Sequence, residues 1–253
     1  MDGTLYLGND LFPETPLFLA KIREKGGRAL YLTNNSSKSK KTYVEKLRKM
    51  GIDADEDDFV TSVEATVDRL KREQPGRRFY VCGTASLKEE LIRAGLNVTD
   101  EYSPDVEGLL CGYDTELTYK KLDDCCRLLT LKKDLPFYAT NPDWVCPTEY
   151  GYVPDCGSVC EMLFRATGRR PVFIGKPQPD MIFSALRKTG ARPEEALLVG
   201  DRLYTDIASA LNAGVDAAFV LSGEGTPEDI EKTGIVPTFT FRNVGELAER
   251  MSK

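Results

Sequence analysis

Residues 197–206 read LLVGDRLYTD, an apolar run followed at once by a glycine, a carboxylate and a helical pattern. A short apolar run of this kind is typical of a buried strand, and the helix after it completes a βα unit. Residues 29–33 (ALYLT) and 172–176 (VFIGK) have the same form, each with a polar residue at the end of the run. Strands that alternate with helices predict a parallel sheet with right-handed crossovers, and therefore an α/β fold.

The same alternation continues outward from these three segments. Helical patterns extend over residues 13–25, 38–50, 118–131, 157–167, 179–189 and 204–213, and further short apolar runs occur at 59–61, 79–83, 108–112, 137–141, 217–223 and 239–241. Ser86, with Glu89 three residues later, predicts a capped start for the helix that follows residues 79–83.

Two polar, turn-rich stretches interrupt the alternation, at Gln74–Arg78 and at Gly168–Pro171. All seven cysteines lie between residues 82 and 160, which also sets the segment between these stretches apart. We therefore predict a Rossmann-like parallel-sheet core with an inserted α/β domain. The predicted limits are 1–76 and 172–253 for the catalytic core and 77–171 for the inserted domain, or cap.

Composition excludes several classes of protein. The chain has 253 residues, 41% of them hydrophobic, which suffices for one large domain or two modest ones. The formal net charge is −6 and no stretch combines basic with aromatic residues, so we expect no nucleic-acid partner. No apolar run approaches the roughly 20 residues of a membrane helix, and no signal-peptide pattern opens the sequence. We expect a cytoplasmic protein with no membrane association.

The cysteines and the missing histidines limit the chemistry. The chain has seven cysteines and no histidine. A zinc site at Cys146, Cys156 and Cys160 is disfavoured because their spacing contains no C-x-x-C pair, and small buried apolar side chains are the simpler interpretation. Without histidine, proton transfer must use carboxylates, Lys, Tyr or Cys.

Polar residues follow three of the predicted strands: Thr33, Lys176 and Asp201, with Asp206 five residues later. Ligands of open α/β sheets bind just outside the carboxyl ends of the strands, so these residues should border one crevice. Carboxylates are suitable ligands for Mg²⁺. A Thr hydroxyl and nearby backbone N–H groups can bind phosphate oxygens, and a Lys side chain can neutralise the charge of a phosphoryl group. Each motif alone also fits an ordinary turn or loop, but together they predict a phosphoryl-transfer site.

These motifs resemble those of the haloacid dehalogenase superfamily. Asp2-Gly3-Thr4 is similar to the end of its first motif, Asp-x-Asp-Gly-Thr, and Leu32-Thr33-Asn34-Asn35-Ser36 is similar to the second; Lys176 corresponds to the third, and Gly200-Asp201 with Asp206 to the fourth. The residues of these motifs are similar to those of the NagD-like, para-nitrophenylphosphatase-type branch (class IIA), in which a large α/β cap lies between motifs two and three.

The resemblance implies Mg²⁺-dependent hydrolysis of small phosphate monoesters through an aspartyl-phosphate. An Asp two positions before Asp2 would be the nucleophile, and Asp2 would act as general acid and then as general base. Thr33 and Asn34 would bind the phosphoryl group, and Lys176 would neutralise it.

The resemblance also implies a metal site and a specificity site. Asp201 would bind Mg²⁺, Asp2 would add its backbone carbonyl, and Asp206 would be a ligand or a support. In the cap, Asn141 and Asp143 would contact the leaving group. The implied partner is a small phosphorylated metabolite, with sugar phosphates, nucleotides, phosphoglycolate and pyridoxal phosphate all open, and a homodimer through the cap is a further expectation.

The position of the implied nucleophile keeps other readings open. It would stand immediately before Met1, so we expect an upstream apolar strand of roughly 5–8 residues that ends in Asp. If that residue is truly absent, the chain would be a pseudo-enzyme that binds phosphate or metal without turnover. A phosphomutase shares the same covalent step, whereas a dehalogenase is disfavoured by the metal-type carboxylates Asp201 and Asp206.

Overall fold

A computed structural model describes residues 1–148 and 150–251. Its contacts divide the chain into two compact units. The core unit comprises Met1–Thr33, Lys40–Val60 and the chain from Lys176 onward. The inserted unit comprises Asn34–Ser39 and Thr61–Gly175.

Strands and helices alternate along both units. The strands are β1 (Tyr6–Leu7), β2 (Asp10–Leu11), β3 (Tyr31–Thr33), β4 (Phe59–Thr61), β5 (Arg78–Cys82), β6 (Asn97–Thr99), β7 (Gly108–Cys111), β8 (Phe137–Ala139), β9 (Val145–Thr148), β10 (Gly151–Pro154), β11 (Val172–Phe173), β12 (Leu197–Gly200), β13 (Asp216–Val220) and β14 (Phe239–Phe241). The helices are α1 (Thr15–Glu24), α2 (Lys40–Lys49), α3 (Ser62–Glu73), α4 (Ala85–Arg93), α5 (Tyr119–Leu131), α6 (Cys156–Thr167), α7 (Asp180–Thr189), α8 (Ala208–Asn212), α9 (Pro227–Thr233) and α10 (Val244–Met251).

The core unit is built on short sheets covered by helices. β12, β13 and β14 form a parallel sheet, β3 pairs with β4, and β1 and β2 form a small antiparallel hairpin. Phe59 and Phe219 are fully buried, and α1 packs against α10. A π-helical turn, Leu203–Ile207, connects β12 to α8. The parallel strands and their crossovers confirm the predicted α/β class.

A cavity of about 460 Å³ lies inside the core unit. Residues of β3 and of β12 border it, among them Leu32 and Leu198. Within the described residues, β3 pairs only with β4 and β12 only with β13. Both are therefore edge strands within the part of the chain that the structure describes.

The inserted unit has a five-stranded, wholly parallel sheet in the order β11-β8-β7-β5-β6. Its core contains Tyr80, Leu109 and Leu128, all fully buried, with helices α5 and α6 in contact with each other. β9 and β10 form a separate antiparallel hairpin. Such a sheet with its own apolar core identifies the insertion as a compact α/β unit.

The structure divides the chain at other residues than the polar stretches at 74–78 and 168–171. Helix α3 belongs to the inserted unit, and so does β11, because β11 pairs with β8 at Val172↔Tyr138 and Phe173↔Ala139. The predicted helix cap at Ser86 is wrong: the N-cap is Thr84, whose hydroxyl accepts a hydrogen bond from the Leu87 N–H. None of the helices in the described ranges is long and apolar enough to cross a membrane.

Candidate active site

Lys176 and Asp206 form a buried ion pair in the core unit. Lys176 Nζ donates to Asp206 Oδ1 over 2.6 Å, and the two side chains are 11% and 12% exposed. Burial alone would raise the pKa of Asp206, but the charge of Lys176, the charge of the Met1 amino group and the hydrogen bond from Lys176 together lower that pKa. Asp206 therefore stays ionised beside the Lys176 side chain.

Asp201 follows β12 directly and lies in a tight backbone cradle. Its Oδ1 accepts from Thr4 Oγ1 at 2.9 Å, and its Oδ2 accepts from the Glu224 N–H at 3.1 Å. A Cβ added to Gly3 would lie 2.2 Å from Asp201 Oδ2, and one added to Gly223 would lie 2.1 Å from it. Only glycine at these two positions lets the backbone approach the carboxylate so closely.

Asp2 lies in the turn that opens the chain. Its side chain is exposed, and Oδ1 accepts from the Gly8 N–H at 3.2 Å. In the part of the chain that the structure describes, no three carboxylates come within 4.8 Å of one another. The side chains of Asp2, Asp201 and Asp206 thus do not meet at one point, and Asp206 is engaged by Lys176.

Asn34 belongs to the inserted unit and is held there from three directions. Its Nδ2 donates to Asp143 Oδ2 at 3.1 Å. Its backbone oxygen accepts from Asn141 Nδ2 at 3.0 Å and from Ser62 Oγ at 2.7 Å. The structure therefore brings together the predicted phosphate-binding residue and both predicted specificity residues, Asn141 and Asp143.

Ser36 fixes the next part of the same loop. Its hydroxyl is 2.9 Å from Thr140 Oγ1 and accepts from the Tyr113 N–H at 2.9 Å. Asn35 Oδ1 accepts from both the N–H and the hydroxyl of Ser37. The polar side chains of this loop thus order its backbone, which is what presenting N–H groups to an anion requires.

The predicted residues divide between the two units as follows: Asp2, Thr33, Lys176, Asp201 and Asp206 belong to the core unit, and Asn34, Asn141 and Asp143 belong to the inserted unit. Thr33 is the half-buried last residue of β3 and directly precedes Asn34 in the chain. The second motif is therefore the place where the chain passes from one unit to the other.

Asp155 is a buried carboxyl of the inserted unit with a strongly shifted pKa. It caps α6 by accepting from the Cys156 N–H. Burial raises its pKa to about 7, and the nearby Asp143 carboxylate adds to the rise. A carboxyl with such a pKa changes charge near neutral pH.

Sequence reasoning missed the groups that hold Asp201. Thr4 is part of the first motif, but the motif does not indicate that its hydroxyl donates a hydrogen bond to the Asp201 carboxylate. Ser222 Oγ donates to the Gly3 backbone oxygen at 2.8 Å and ties the loop after β13 to the first turn. The available signal was Ser-Gly-Glu-Gly at 222–225, directly after an apolar run.

The chain is similar to known proteins over its whole length. Residues 1–97 match the family model described as haloacid dehalogenase-like hydrolase, and residues 173–247 match one described as HAD-hydrolase-like. An acid sugar phosphatase of Staphylococcus aureus is 36% identical over 254 residues, covering 100% of this chain and 96% of the relative. The chain belongs to the haloacid dehalogenase-like hydrolases.

Solved structures place this hydrolase in the NagD-like, class IIA phosphatase branch, as predicted. The 4-nitrophenylphosphatase of Thermotoga maritima is 40% identical with a TM-score of 0.90, covering 98% of this chain and 94% of that one. NagD of E. coli K-12 is 32% identical with a TM-score of 0.87, covering 97% and 95%. A glycerol phosphate phosphatase of Mycobacterium tuberculosis, solved with magnesium, is 29% identical with a TM-score of 0.89, covering 98% and 74%.

Proposed function

We propose that this hydrolase releases inorganic phosphate from small phosphate monoesters, sugar phosphates among them, in a Mg²⁺-dependent reaction. The observation that carries the proposal is the core unit's pairing of a buried ammonium, Lys176, with a backbone-walled carboxylate, Asp201. A lysine held in place by Asp206 can neutralise a phosphoryl group. The names of the relatives, acid sugar phosphatase and 4-nitrophenylphosphatase, support the substrate class.

The donor set fits a magnesium ion. Mg²⁺ takes oxygen ligands and is commonly held by one or two carboxylates, waters and a substrate phosphate. Asp201 offers a buried carboxylate. The space next to its Oδ2 is open only because Gly3 and Gly223 have no Cβ. Asp201 would hold the ion together with the backbone carbonyl of Asp2, and the bound ion would neutralise charge on the phosphoryl oxygens. Asp206 would act by holding Lys176.

Each remaining residue has a role that its surroundings support. Thr33 and Asn34 would bind phosphoryl oxygens, with the Asn34 amide oriented by Asp143. Asp2 is exposed and would protonate the leaving oxygen, then take a proton from the attacking water. Lys176 would hold its charge against the transferring group throughout.

We further propose that turnover passes through an aspartyl-phosphate. The support is the similarity of Asp2-Gly3-Thr4 to the end of Asp-x-Asp-Gly-Thr, whose first Asp is the nucleophile that the resemblance implies. The test is to quench turnover with acid and to measure whether phosphate from a labelled substrate stays covalently bound to the protein. No bound phosphate at any time during turnover would reject the intermediate.

The main experiment measures phosphate release from para-nitrophenyl phosphate and from a panel of sugar phosphates, with and without Mg²⁺. Asp201→Asn should abolish the Mg²⁺-dependent part of the rate, while Asp216→Asn should not, because Asp216 is exposed at the opposite end of β13. Release that is indifferent to Mg²⁺ or to Asp201→Asn would reject the metal assignment. Isomerised sugar phosphate as product would indicate a phosphomutase, and phosphate binding without release would indicate a pseudo-enzyme.

A further inference from the structure

Five of the seven cysteines lie in the core of the inserted unit and are at most 2% exposed: Cys82, Cys111, Cys125, Cys156 and Cys160. The sulfur atoms of Cys82, Cys111 and Cys125 all lie within 4.8 Å of one another. Within residues 1–148 and 150–251, no other group of three Cys, Asp or Glu side chains converges this closely. The cluster plays no part in the phosphatase chemistry proposed above.

Strand register creates the cluster. Cys82 is the last residue of β5 and Cys111 the last of β7, and the two are direct partners in neighbouring parallel strands. Their side chains therefore leave the sheet on the same face. Cys125 comes from α5, which packs against β5. Two sulfurs thus come from the sheet and a third from the helix that contacts it.

A fourth thiol is within reach. Cys160 lies on α6, which packs against α5, and it belongs to the same buried apolar cluster as Cys82, Cys111 and Cys125. Thiolate is the form that binds metal, so each thiol must lose its proton when it becomes a ligand.

A positive charge lies beside the cluster. Lys121 Nζ donates to the backbone oxygen of Gly83, the residue after Cys82, at 2.9 Å. Lys121 is itself anchored by Asp114 at 2.8 Å. Four thiolates around a divalent cation carry a net charge of −2, and the Lys121 ammonium, which Asp114 also contacts, lies near enough to reduce the cost of burying that charge.

We propose that Cys82, Cys111 and Cys125 bind a thiophilic divalent cation of the zinc type, with Cys160 as the fourth ligand. Zinc–sulfur bonds of about 2.3 Å place the sulfurs of one site about 4 Å apart, so the separations fit with small side-chain shifts. Each thiol that binds releases its proton to solvent, and no electron is transferred. The burial of the cluster is typical of a structural site, which is closed, and means that the ion is taken up during folding.

The test uses the full chain produced in zinc-supplemented medium and purified without chelators. The expected zinc content is one ion per chain by atomic emission. Protein refolded with Cd²⁺ in place of zinc should show the ultraviolet absorption of thiolate-to-cadmium charge transfer. Cys126→Ala and Cys146→Ala should keep the ion, because both residues lie outside the cluster. Cys125→Ala and Cys160→Ala should weaken or abolish retention.

The cadmium spectrum and the thiol titration of the wild-type protein can each overturn the proposal, whether or not a core variant folds. Cadmium without the thiolate absorption, or zinc content no higher than in Cys125→Ala with an unchanged circular dichroism spectrum, would show that the thiols are packing groups only. A titration of fewer than the seven thiols in denatured, metal-free protein would instead indicate a disulfide and refute the site. None of these readouts depends on phosphatase activity.

Discussion

Replacing Lys176 by Met tests the charge balance of the core unit most directly. The substitution keeps an unbranched side chain but leaves Asp206 without its partner at 2.6 Å, with the carboxylate side chain 12% exposed. Breaking a buried pair on one side typically costs about 3–5 kcal/mol, because an uncompensated charge remains. We expect a loss of that size in the free energy of unfolding at pH 7, measured by urea denaturation.

The double variant and an exposed pair serve as controls. Adding Asp206→Asn to Lys176→Met should restore most of the loss, since the unpaired charge is then removed. Lys232→Met breaks a comparable ion pair with Asp229, but Lys232 is 71% exposed, so its cost should stay below about 1 kcal/mol.

The unfolding free energy should depend on pH in a direction that the pKa of Asp206 determines. In the wild type, the depressed pKa of Asp206 contributes stability above its unfolded value, about 3.9, and this stability is lost as pH falls through the folded pKa. Without Lys176, burial raises the pKa of Asp206, so the variant's deficit should shrink as pH falls from 7 toward 4. A deficit that is constant over this range, together with no recovery in the double variant, would refute the argument.

Three further predictions concern activity, packing and pH. Asp143→Ala should slow hydrolysis of every ester by roughly tenfold, because the Asn34 amide loses a charged acceptor; a change confined to bulky substrates would support a specificity role instead. Gly223→Ala should abolish Mg²⁺-dependent phosphate release while far-ultraviolet circular dichroism stays unchanged, since its Cβ would meet Asp201 Oδ2 at 2.1 Å; wild-type rates would contradict this. The raised pKa of Asp155 contributes stability that is present below about pH 4 and is lost as pH rises to about 7. Asp155→Asn should therefore flatten the dependence of the unfolding free energy on pH between these values. An unchanged slope would contradict the assignment.

Local patterns predicted the elements well. Each of Thr33, Lys176 and Asp201 follows a short apolar run, and hydrophobic periodicity alone marks such a position. The α/β class followed from the same alternation. These signals lie within a few residues of one another, so tertiary contacts are not needed to detect them.

Partner choice over long sequence distances could not be predicted in this way. The run at 172–176 looked like a core strand, but β11 pairs with β8, and no local signal specifies that partner. Thr84 and Ser86 are equally good caps by composition, and the backbone geometry decides for Thr84. The pairing of Lys176 with Asp206 likewise depends on how the turn after β12 folds.

The cysteines show the same limit. Their spacing disfavoured a metal site, because sequence motifs for zinc rely on ligands that are close in the chain. Cys82 and Cys111 meet only because β5 and β7 pair in one particular register. A shift of one residue would send one of the sulfurs to the other face of the sheet.

Gly3 and Gly223 have a consequence for how this site can vary. Neither residue has a side chain, yet its closeness to Asp201 restricts the position to glycine as strictly as ligation would restrict a carboxylate position. In a saturation library scored for phosphate release, both positions should tolerate as little exchange as the carboxylate itself. Transplanting the catalytic side chains alone onto another α/β scaffold would therefore fail unless two positions without any side chain were carried along with them.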